Sequence, residues 1–276
     1  MNDPVSAVTK DGRYGYEAAG DPSLPPLVFL HGVGGAARAW RDQLRVFGHS
    51  YRAIAWDMPG YGASAPFKSV SITTLAEAFA EFLQALEITK PALVGHSVGG
   101  MVVQQALAKN PTIAGAIVLA QTSPAFGRPD GEWQKAFIDT RLGPLDRGET
   151  LASLADGLVT ELVGDDPDPA GMALARDCMA SVPEPTYRAT MRALIGFDLR
   201  ERLPEIGAPT MILSGSKDQN APAPMMAKMA ARIPGATYVE LPGCGHLANL
   251  EQPANFNRAL EEFLRHHFPH AGEQNS

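Results

Sequence analysis

The chain has 276 residues, of which 45% are hydrophobic and 19% charged, and its formal net charge is −7. This composition is typical of a folded globular protein and excludes an intrinsically disordered chain. The acidic balance also argues against a nucleic-acid-binding surface, which needs clustered Lys and Arg to neutralise phosphates.

The sequence carries no pattern typical of export, membrane insertion or a disulfide framework. Residues 1–10 lack the basic start and apolar core of a secretory signal, and no apolar run approaches the roughly 20 residues that span a bilayer. We therefore predict a cytoplasmic protein without membrane contact. Cys178 and Cys244 are the only cysteines. Because they are far apart and form no CxxC pair, we predict free thiols and no metal site.

Short apolar runs that end in Gly-rich or polar turns recur along the chain and predict the buried strands of a parallel sheet. Stretches with helical spacing alternate with these runs, which indicates βαβ units. Helices are predicted for 73–86, with Thr73 as the cap, and for 101–108 and 255–264. The predicted strands are 27–30, 53–56, 92–94, 116–119, 211–213 and 238–241.

The alternation stops between residues 124 and 203, where Gly, Pro and Asp separate several helical segments and no strand pattern occurs. Because a structureless loop of this length is rare within a compact domain, we predict a helical insertion. The chain is expected to divide into a core of residues 1–123 and 204–276 and a helical cap of residues 124–203. Residues 266–276 are expected to fray.

The strongest chemical motif is Gly95-His96-Ser97-Val98-Gly99, which lies between a predicted strand and a predicted helix. A sharp strand-to-helix turn holds a nucleophile in strained backbone geometry, and small residues two positions to either side let the chain pass closely. An ordinary tight turn is the alternative, but the flanking pattern favours Ser97 as a catalytic nucleophile.

A serine hydroxyl needs a base within hydrogen-bond reach, and that base needs an orienting partner. His246 and Asp218 each follow a predicted strand, and the carboxyl ends of parallel strands gather functional groups at one edge of a sheet. The order Ser, acid, His is the one expected for this kind of hydrolase. We therefore predict His246 as general base and Asp218 as its partner, with Asp198 as the rival acid and Asp57 as a turn residue.

A tetrahedral intermediate also needs N–H donors for its oxyanion. The strand 27–30 runs into His31-Gly-Val-Gly-Gly, so the main-chain N–H groups of Val33 and Val98 are the predicted donors. The segment lacks both the GxGxxG spacing and the Gly-Lys-Ser/Thr ending of phosphate-binding loops. His31 is expected to make structural hydrogen bonds under this loop and, with Gly32, to border the substrate.

Five motifs in order resemble the α/β-hydrolase superfamily from residue 27 to about residue 264. They are His31-Gly-Val-Gly-Gly, Asp57-Met-Pro-Gly-Tyr-Gly-Ala-Ser, Gly95-His-Ser-Val-Gly-Gly, Gly215-Ser-Lys-Asp and Gly243-Cys-Gly-His. The resemblance implies an α/β fold with an eight-stranded, mostly parallel sheet flanked by helices and a helical cap inserted after the sixth strand. It also implies an enzyme that needs no cofactor.

The C-terminal half is similar to 3-oxoadipate enol-lactonases in the segments Ile206-Gly-Ala-Pro-Thr, Ala231-Arg-Ile-Pro-Gly-Ala and His246-Leu-Ala-Asn-Leu-Glu-Gln-Pro. These segments are mostly scaffold and transfer a fold better than a substrate. The resemblance implies a serine esterase or lactonase acting on a small ester or lactone, in aromatic compound catabolism, as a monomer or homodimer.

Other members of the superfamily provide the alternatives. Carbon–carbon bond hydrolases of meta-cleavage pathways are the runner-up, although Leu247 stands where they usually carry Trp and Val33-Gly-Gly-Ala where they carry Gly-Pro-Gly. Haloalkane dehalogenases use an Asp nucleophile at the position of Ser97, which argues against them. Cofactor-free haloperoxidases and slow-hydrolysing small-molecule receptors stay open alternatives.

The predicted cap would select the substrate. Trp133, Phe137 and Leu247 are predicted substrate contacts, although aromatic residues at helical spacing are more often core. Three methionines, Met172, Met179 and Met191, are candidates for the same apolar pocket. A substrate carboxylate would need an inward-pointing arginine, for which the candidates are Arg128, Arg141, Arg176, Arg188 and Arg192.

Overall fold

The structure is a computed structural model that describes residues 3–127 and 131–270. Eight strands form one sheet: β1 (Val5–Val8), β2 (Gly15–Ala19), β3 (Pro26–Leu30), β4 (Arg52–Trp56), β5 (Ala92–His96), β6 (Ala116–Ala120), β7 (Thr210–Gly215) and β8 (Thr237–Leu241). Their order across the sheet is β1-β2-β4-β3-β5-β6-β7-β8. The strand β2 is antiparallel to β1 and β4, whereas all other neighbours are parallel. The predicted fold class is confirmed.

Helices flank both faces of the sheet. They are α1 (Arg41–Phe47), α2 (Ile72–Ala85), α3 (Val98–Lys109), α4 (Glu132–Asp146), α5 (Leu151–Thr160), α6 (Pro169–Ser181), α7 (Glu184–Ala193), α8 (Ala223–Ala230), α9 (Ala248–Glu251) and α10 (Pro253–His267), with 3₁₀ turns at Ala37–Trp40 and Arg200–Glu205. Two apolar clusters separate accordingly. One contains α2 and α3 side chains, and the other contains α1 and α10 side chains. No helix in the described ranges has both the length and the apolar character needed to cross a bilayer.

The six predicted strands are present, and five of them are short apolar runs that are almost entirely buried. The sixth, β8, lies at the edge of the sheet and is largely exposed or half-buried, so the expected burial on both faces is wrong for it. Every residue of β5 and β6 is buried, as a parallel strand covered by helices on both sides requires. The sequence pattern missed β1 and β2. These strands form an antiparallel pair at one edge of the sheet, and β1 is largely exposed, so neither has the continuous apolar run of an inner strand.

Three helix predictions need correction at their ends. Ser71, not Thr73, caps α2, because the Ser71 hydroxyl accepts the N–H of Thr74 and Thr74 returns a bond to the Ser71 N–H. The helix predicted for 101–108 already begins at Val98. The helix α10 extends to His267, so the predicted frayed tail is wrong for its first two residues; residues 271–276 lie outside the described ranges.

The helices α4 to α7 occupy the segment between β6 and β7 that was predicted as a cap. We call residues 124–203 the cap segment. Its described part contributes no strand to the sheet, and its buried side chains join the larger apolar cluster. The division of the chain into core and cap stays a prediction, but the placement of α4 to α7 after the sixth strand agrees with it.

The strand registers align the carboxyl ends of the inner strands at one edge of the sheet. Leu30 of β3 pairs with Gly95 of β5, and His96 pairs with Ala120 of β6. Further across the sheet, Gly215 of β7 pairs with Leu241 of β8. The turns that follow β3, β5, β7 and β8 therefore come together at this edge.

Candidate active site

Ser97 lies in the turn between β5 and α3 with backbone angles φ 52° and ψ −119°. A positive φ is strained for a residue with a side chain, and such strain persists only where the surroundings enforce it. The surroundings here are backbone. A Cβ at Gly95 would meet the Gly100 Cα at 2.7 Å, and a Cβ at Gly99 would collide with the Leu30 carbonyl oxygen. The two glycines are therefore required for the turn that presents Ser97.

Ser97, His246 and Asp218 form one continuous chain of hydrogen bonds. The Nε2 atom of His246 lies 3.0 Å from the Ser97 Oγ, and Nδ1 lies 2.7 Å from the Asp218 Oδ2. Because a carboxylate only accepts, Nδ1 carries the ring proton of the neutral imidazole and Nε2 accepts the Ser97 hydroxyl. All three predicted triad residues are thus brought together; their catalytic roles stay a prediction.

The second oxygen of Asp218 is held by the backbone. Its Oδ1 accepts the N–H groups of Asn220 and Ala221 at 2.8 and 2.9 Å. Burial raises the pKa of the Asp218 carboxyl, but attraction to His246 and these hydrogen bonds outweigh it and leave the pKa below its ordinary value. Asp218 is therefore ionised at neutral pH and fixed in orientation.

The rival acid, Asp198, takes no part in this arrangement. Its carboxylate is bonded to the neighbouring Arg200 on the surface, and the Arg200 N–H also donates to it. Asp57, predicted as a turn residue, accepts the N–H groups of Ala37 and Ala63 and so fixes the turn after β4 against the 3₁₀ turn.

The segment after β3 lies beside the serine. A Cβ at Gly32 would meet the Ser97 Cβ at 3.1 Å, and the Gly35 N–H closes a turn onto the Gly32 carbonyl at 3.0 Å. Val33 lies on the wall of the cavity above this turn, and Val98 is the first residue of α3 directly after Ser97. Val98 therefore adjoins Ser97, and Val33 lies in the segment that packs beside it; the role of both as oxyanion donors stays a prediction.

His31 reaches the cavity wall, but both of its ring nitrogens are bonded to backbone. Nδ1 donates to the Gly32 carbonyl at 2.7 Å, and Nε2 accepts the Met58 N–H at 3.1 Å. Burial lowers the pKa of His31, which keeps the ring neutral as this pair of bonds requires. The contacts fit the predicted structural role and leave His31 without a ring nitrogen to offer a substrate.

Leu247, a predicted substrate contact, lies on the cavity wall.

A cavity of about 180 Å³ opens over Ser97 between the sheet edge and the cap segment. One wall is aromatic, with the rings of Phe126, Trp133 and Phe137 5.3–5.5 Å apart. Trp133 is 57% exposed and lies at the rim. Of the three candidate methionines, Met179 and Met191 line the cavity, whereas Met172 packs in the core.

Arg141 is the candidate arginine that the structure places at the cavity. Its side chain is only 14% exposed, its guanidinium lies 5.4 Å from the centre of the Phe137 ring, and it bonds to the exposed Glu161 at 2.6 Å. Arg176 and Arg188 instead pair with surface carboxylates. Arg192 does not reach the cavity wall, and Arg128 lies outside the described ranges. No Asp or Glu side chain is among the described residues that line the cavity.

The structure also reveals a buried carboxylate that the sequence pattern had placed with the scaffold. Glu251 is 2% exposed and accepts the N–H groups on both sides of His246, those of Gly245 and Leu247. A carboxylate five positions after a histidine carries no specific signal in a single sequence.

Cys178 and Cys244 are buried free thiols, as predicted. Within residues 3–127 and 131–270, no group of three His, Cys, Asp or Glu side chains is arranged to hold a metal ion.

The fold, the turn at Ser97 and the hydrogen-bonded Ser, His and Asp define the α/β hydrolases, and the chain belongs to the alpha/beta hydrolase family, which it matches over residues 27–259. RutD of Stutzerimonas stutzeri, described as a carbamate hydrolase, is 30% identical over 260 residues, covering 90% of this chain and 96% of that protein. The 3-oxoadipate enol-lactonase 1 of Acinetobacter baylyi is 26% identical over 249 residues, covering 89% and 91%.

Solved structures agree with this assignment. A thermophilic esterase from Thermogutta terrifontis, solved with malate bound, superposes with a TM-score of 0.82 at 25% identity and covers 95% of this chain and 98% of that chain. The predicted resemblance to α/β hydrolases and to enol-lactonases is confirmed, and hydrolase activity follows from it.

Proposed function

We propose that this hydrolase cleaves a small ester or lactone through an acyl-enzyme on Ser97. The observation that carries the proposal is the unbroken hydrogen-bond chain from Asp218 through His246 to the Ser97 hydroxyl, which lies at a cavity with a mainly apolar lining. An unassisted serine hydroxyl is a weak nucleophile at neutral pH, whereas one bonded to a neutral imidazole can lose its proton as it attacks.

The reaction proceeds in two halves. His246 Nε2 takes the hydroxyl proton as Ser97 Oγ attacks the substrate carbonyl, and the N–H groups of Val33 and Val98 hold the developing oxyanion. Ionised Asp218 stabilises the imidazolium. His246 then protonates the leaving alcohol, which stays tethered to the acyl group if the substrate is a lactone. A water molecule, deprotonated by His246, releases the acid and restores Ser97.

Arg141 supports a proposal for the substrate class. The guanidinium already bonds to the exposed Glu161 through Nη1, but it is mostly buried at the edge of a cavity whose described lining contains no carboxylate. It therefore favours a substrate whose acyl part carries a carboxylate. The similar esterase solved with malate, a dicarboxylate, supports this proposal.

Carbamate cleavage is the second candidate, favoured by the 30% identity to RutD. Attack on a carbamate carbonyl would use the same serine, base and N–H donors. The carbon–carbon hydrolase alternative finds less support, because Leu247 and Val33-Gly-Gly-Ala depart from the sequences usual for that group. Cytoplasmic location and a monomeric or homodimeric state stay predictions.

The test is steady-state hydrolysis of p-nitrophenyl acetate, p-nitrophenyl butyrate, a γ-lactone and a p-nitrophenyl carbamate by the purified chain and by Ser97→Ala. We expect multiple turnovers on at least the esters and a loss in kcat of about 10⁶-fold in the variant. A kcat within about tenfold of wild type in Ser97→Ala would contradict the role of Ser97. Release of no more than one equivalent of p-nitrophenol by the wild type would favour a slow receptor.

The role of Arg141 is tested with two p-nitrophenyl esters of equal length, one with a terminal carboxylate and one with a terminal methyl group. In Arg141→Met we expect kcat/KM for the carboxylated ester to fall by about 30-fold, since a charge-assisted hydrogen bond contributes about 2 kcal/mol, and the neutral ester to change little. Arg188→Met, at another mostly buried arginine paired with surface carboxylates, is the control. Equal losses on both esters would contradict the assignment.

A further inference from the structure

We infer that Glu251 is a positioning residue that fixes the catalytic histidine and joins its backbone to the cap segment. The inference rests on the proposed role of His246 as general base. It concerns a carboxylate that touches neither the triad side chains nor the cavity, and that would act through the peptide groups around His246.

The environment of Glu251 is built from main-chain N–H groups. Its Oε1 accepts from Leu247 at 2.7 Å, and its Oε2 accepts from Gly245 and Gly164, both at 2.8 Å. Glu251 forms no ion pair with a Lys or Arg among the described residues. A carboxylate that is 2% exposed is costly unless it is hydrogen-bonded, so these three donors account for its burial.

Only one of these bonds is explained by local helix structure. Leu247 is the residue before α9, and the Glu251 carboxylate at the end of that short helix accepts the Leu247 N–H. The other two reach outside the helix. Gly245 lies on the opposite side of His246, and Gly164 belongs to the link between α5 and α6 in the cap segment.

The peptide groups of His246 itself are held as well. Its N–H donates to the Leu162 carbonyl at 2.6 Å, and its carbonyl accepts from the Nε2 of His96 at 2.7 Å. Burial and the neighbouring His246 lower the pKa of His96 to about 3, so His96 is neutral and its Nε2–H is the donor. Together with Glu251, these bonds restrain the backbone on both sides of the histidine.

The cap link therefore bonds directly to the histidine loop. Besides Leu162 and Gly164, the Asp165 N–H donates to the Gly243 carbonyl at 2.7 Å and the Asp168 N–H donates to the Glu251 carbonyl at 2.9 Å. A Cβ at Gly164 would collide with the Gly243 carbonyl oxygen and meet the Gly245 nitrogen at 2.8 Å. The two segments touch backbone to backbone, so a displacement of one must move the other.

Such restraint matters because His246 projects from a loop rather than from a strand or long helix. A 3.0 Å contact between Nε2 and the Ser97 Oγ is close to the outer range of a good hydrogen bond. A shift of about 1 Å at a reacting group can lower the rate about 100-fold. Replacing one carboxylate oxygen of Glu251 by a group that cannot accept a hydrogen bond leaves at least one buried N–H unpaired, and the loop around His246 is expected to relax.

Two variants test the inference from opposite sides of the contact. Glu251→Gln replaces one acceptor oxygen by an NH₂ group that faces an N–H donor, and Gly164→Ala pushes the histidine loop from the cap side. Two matched controls make the same kind of substitution elsewhere in the chain. Glu17→Gln neutralises a buried carboxylate of β2 that is paired with Arg41, and Gly157→Ala adds a methyl group within α5 where nothing lies within 4 Å.

In Glu251→Gln and Gly164→Ala we expect kcat to fall about 100-fold with KM changed less than about threefold, at temperatures far below each variant's Tm. The low-field proton resonance of the His246–Asp218 hydrogen bond should broaden or shift in both. The controls should keep the wild-type kcat and resonance, even where Tm changes.

The rate at which a fluorophosphonate modifies Ser97 distinguishes a failure of the inference about Glu251 from a failure of the proposed function. If the wild type is modified at Ser97 but both variants react at the wild-type rate with an unchanged resonance, the inference is wrong. It is also wrong if activity is lost only in proportion to the unfolded fraction. If the wild type itself is not modified at Ser97, it is the proposed function that fails.

Discussion

Replacement of Asp218 by Asn should disable the base while leaving the shape of the site almost unchanged. The Oδ1 of Asp218 accepts two backbone N–H groups, from Asn220 and Ala221, so the amide oxygen of Asn must take that position. Its NH₂ group then faces the Nδ1 of His246, which can no longer donate. The ring proton moves to Nε2, where it blocks acceptance of the Ser97 proton.

The magnitude follows from the loss of the correct tautomer. We expect kcat for p-nitrophenyl butyrate to fall by about 10⁴-fold, equivalent to about 5 kcal/mol of transition-state stabilisation, with KM nearly unchanged. Asp198→Asn is the matched control, because Asp198 is the other candidate acid and is bonded to Arg200 on the surface. It should retain kcat within about twofold, as is usual for a surface substitution.

The measurement is steady-state kinetics of both variants beside thermal unfolding by circular dichroism. The reasoning is refuted if folded Asp218→Asn retains kcat within about tenfold of wild type, because a wrong tautomer costs far more. A large loss in Asp198→Asn with little loss in Asp218→Asn would instead assign the acid to Asp198.

Three further outcomes are expected. Gly99→Ala should lower the free energy of unfolding by more than about 2 kcal/mol, because its Cβ meets the Leu30 backbone, whereas the unobstructed Gly157→Ala should not destabilise; equal denaturant midpoints would contradict this. His96 has a lowered pKa, so the unfolded state binds more protons between about pH 6.5 and 3, and stability falls as pH falls through that window. Acidification from pH 6.5 to 4.5 should remove about 2 kcal/mol through this group, a loss that urea titrations should not find in His96→Asn. Trp133→Ala, at the exposed rim, should raise KM for p-nitrophenyl butyrate about threefold more than it raises KM for p-nitrophenyl acetate, with stability changed by less than about 1 kcal/mol. If the substitution changes KM equally for the two esters, the acyl chain must lie elsewhere.

The inner strands and the turn at Ser97 could be predicted because local sequence specifies them. A fully buried strand must be apolar throughout, and the close backbone approach at Gly95 and Gly99 admits only glycine. The same glycines explain why the start of α3 was missed. Gly99 and Gly100 disfavour helix in isolation, yet tertiary packing requires them within the first turn.

The rest of the site depends on contacts that a single sequence does not encode locally. Arg141 is one of several similar arginines in the cap segment, and only the packing of α4 places it at the cavity wall. Glu251 accepts two bonds from nearby residues, Gly245 and Leu247, and a third from Gly164, 87 positions away. The strands β1 and β2 escaped prediction because neither needs a continuous apolar run: β1 is largely exposed at the sheet edge, and in β2 buried residues alternate with half-buried ones.

The hydrogen bond between Ser97 and His246 joins residues 149 positions apart, and the loop that carries His246 follows the last strand of the sheet. The bond therefore cannot form until the final strand, β8, has docked and placed the loop that carries His246. In refolding experiments, recovery of hydrolase turnover should therefore lag behind recovery of helical circular dichroism, since the formation of long-range contacts is the slow part of assembling such a topology.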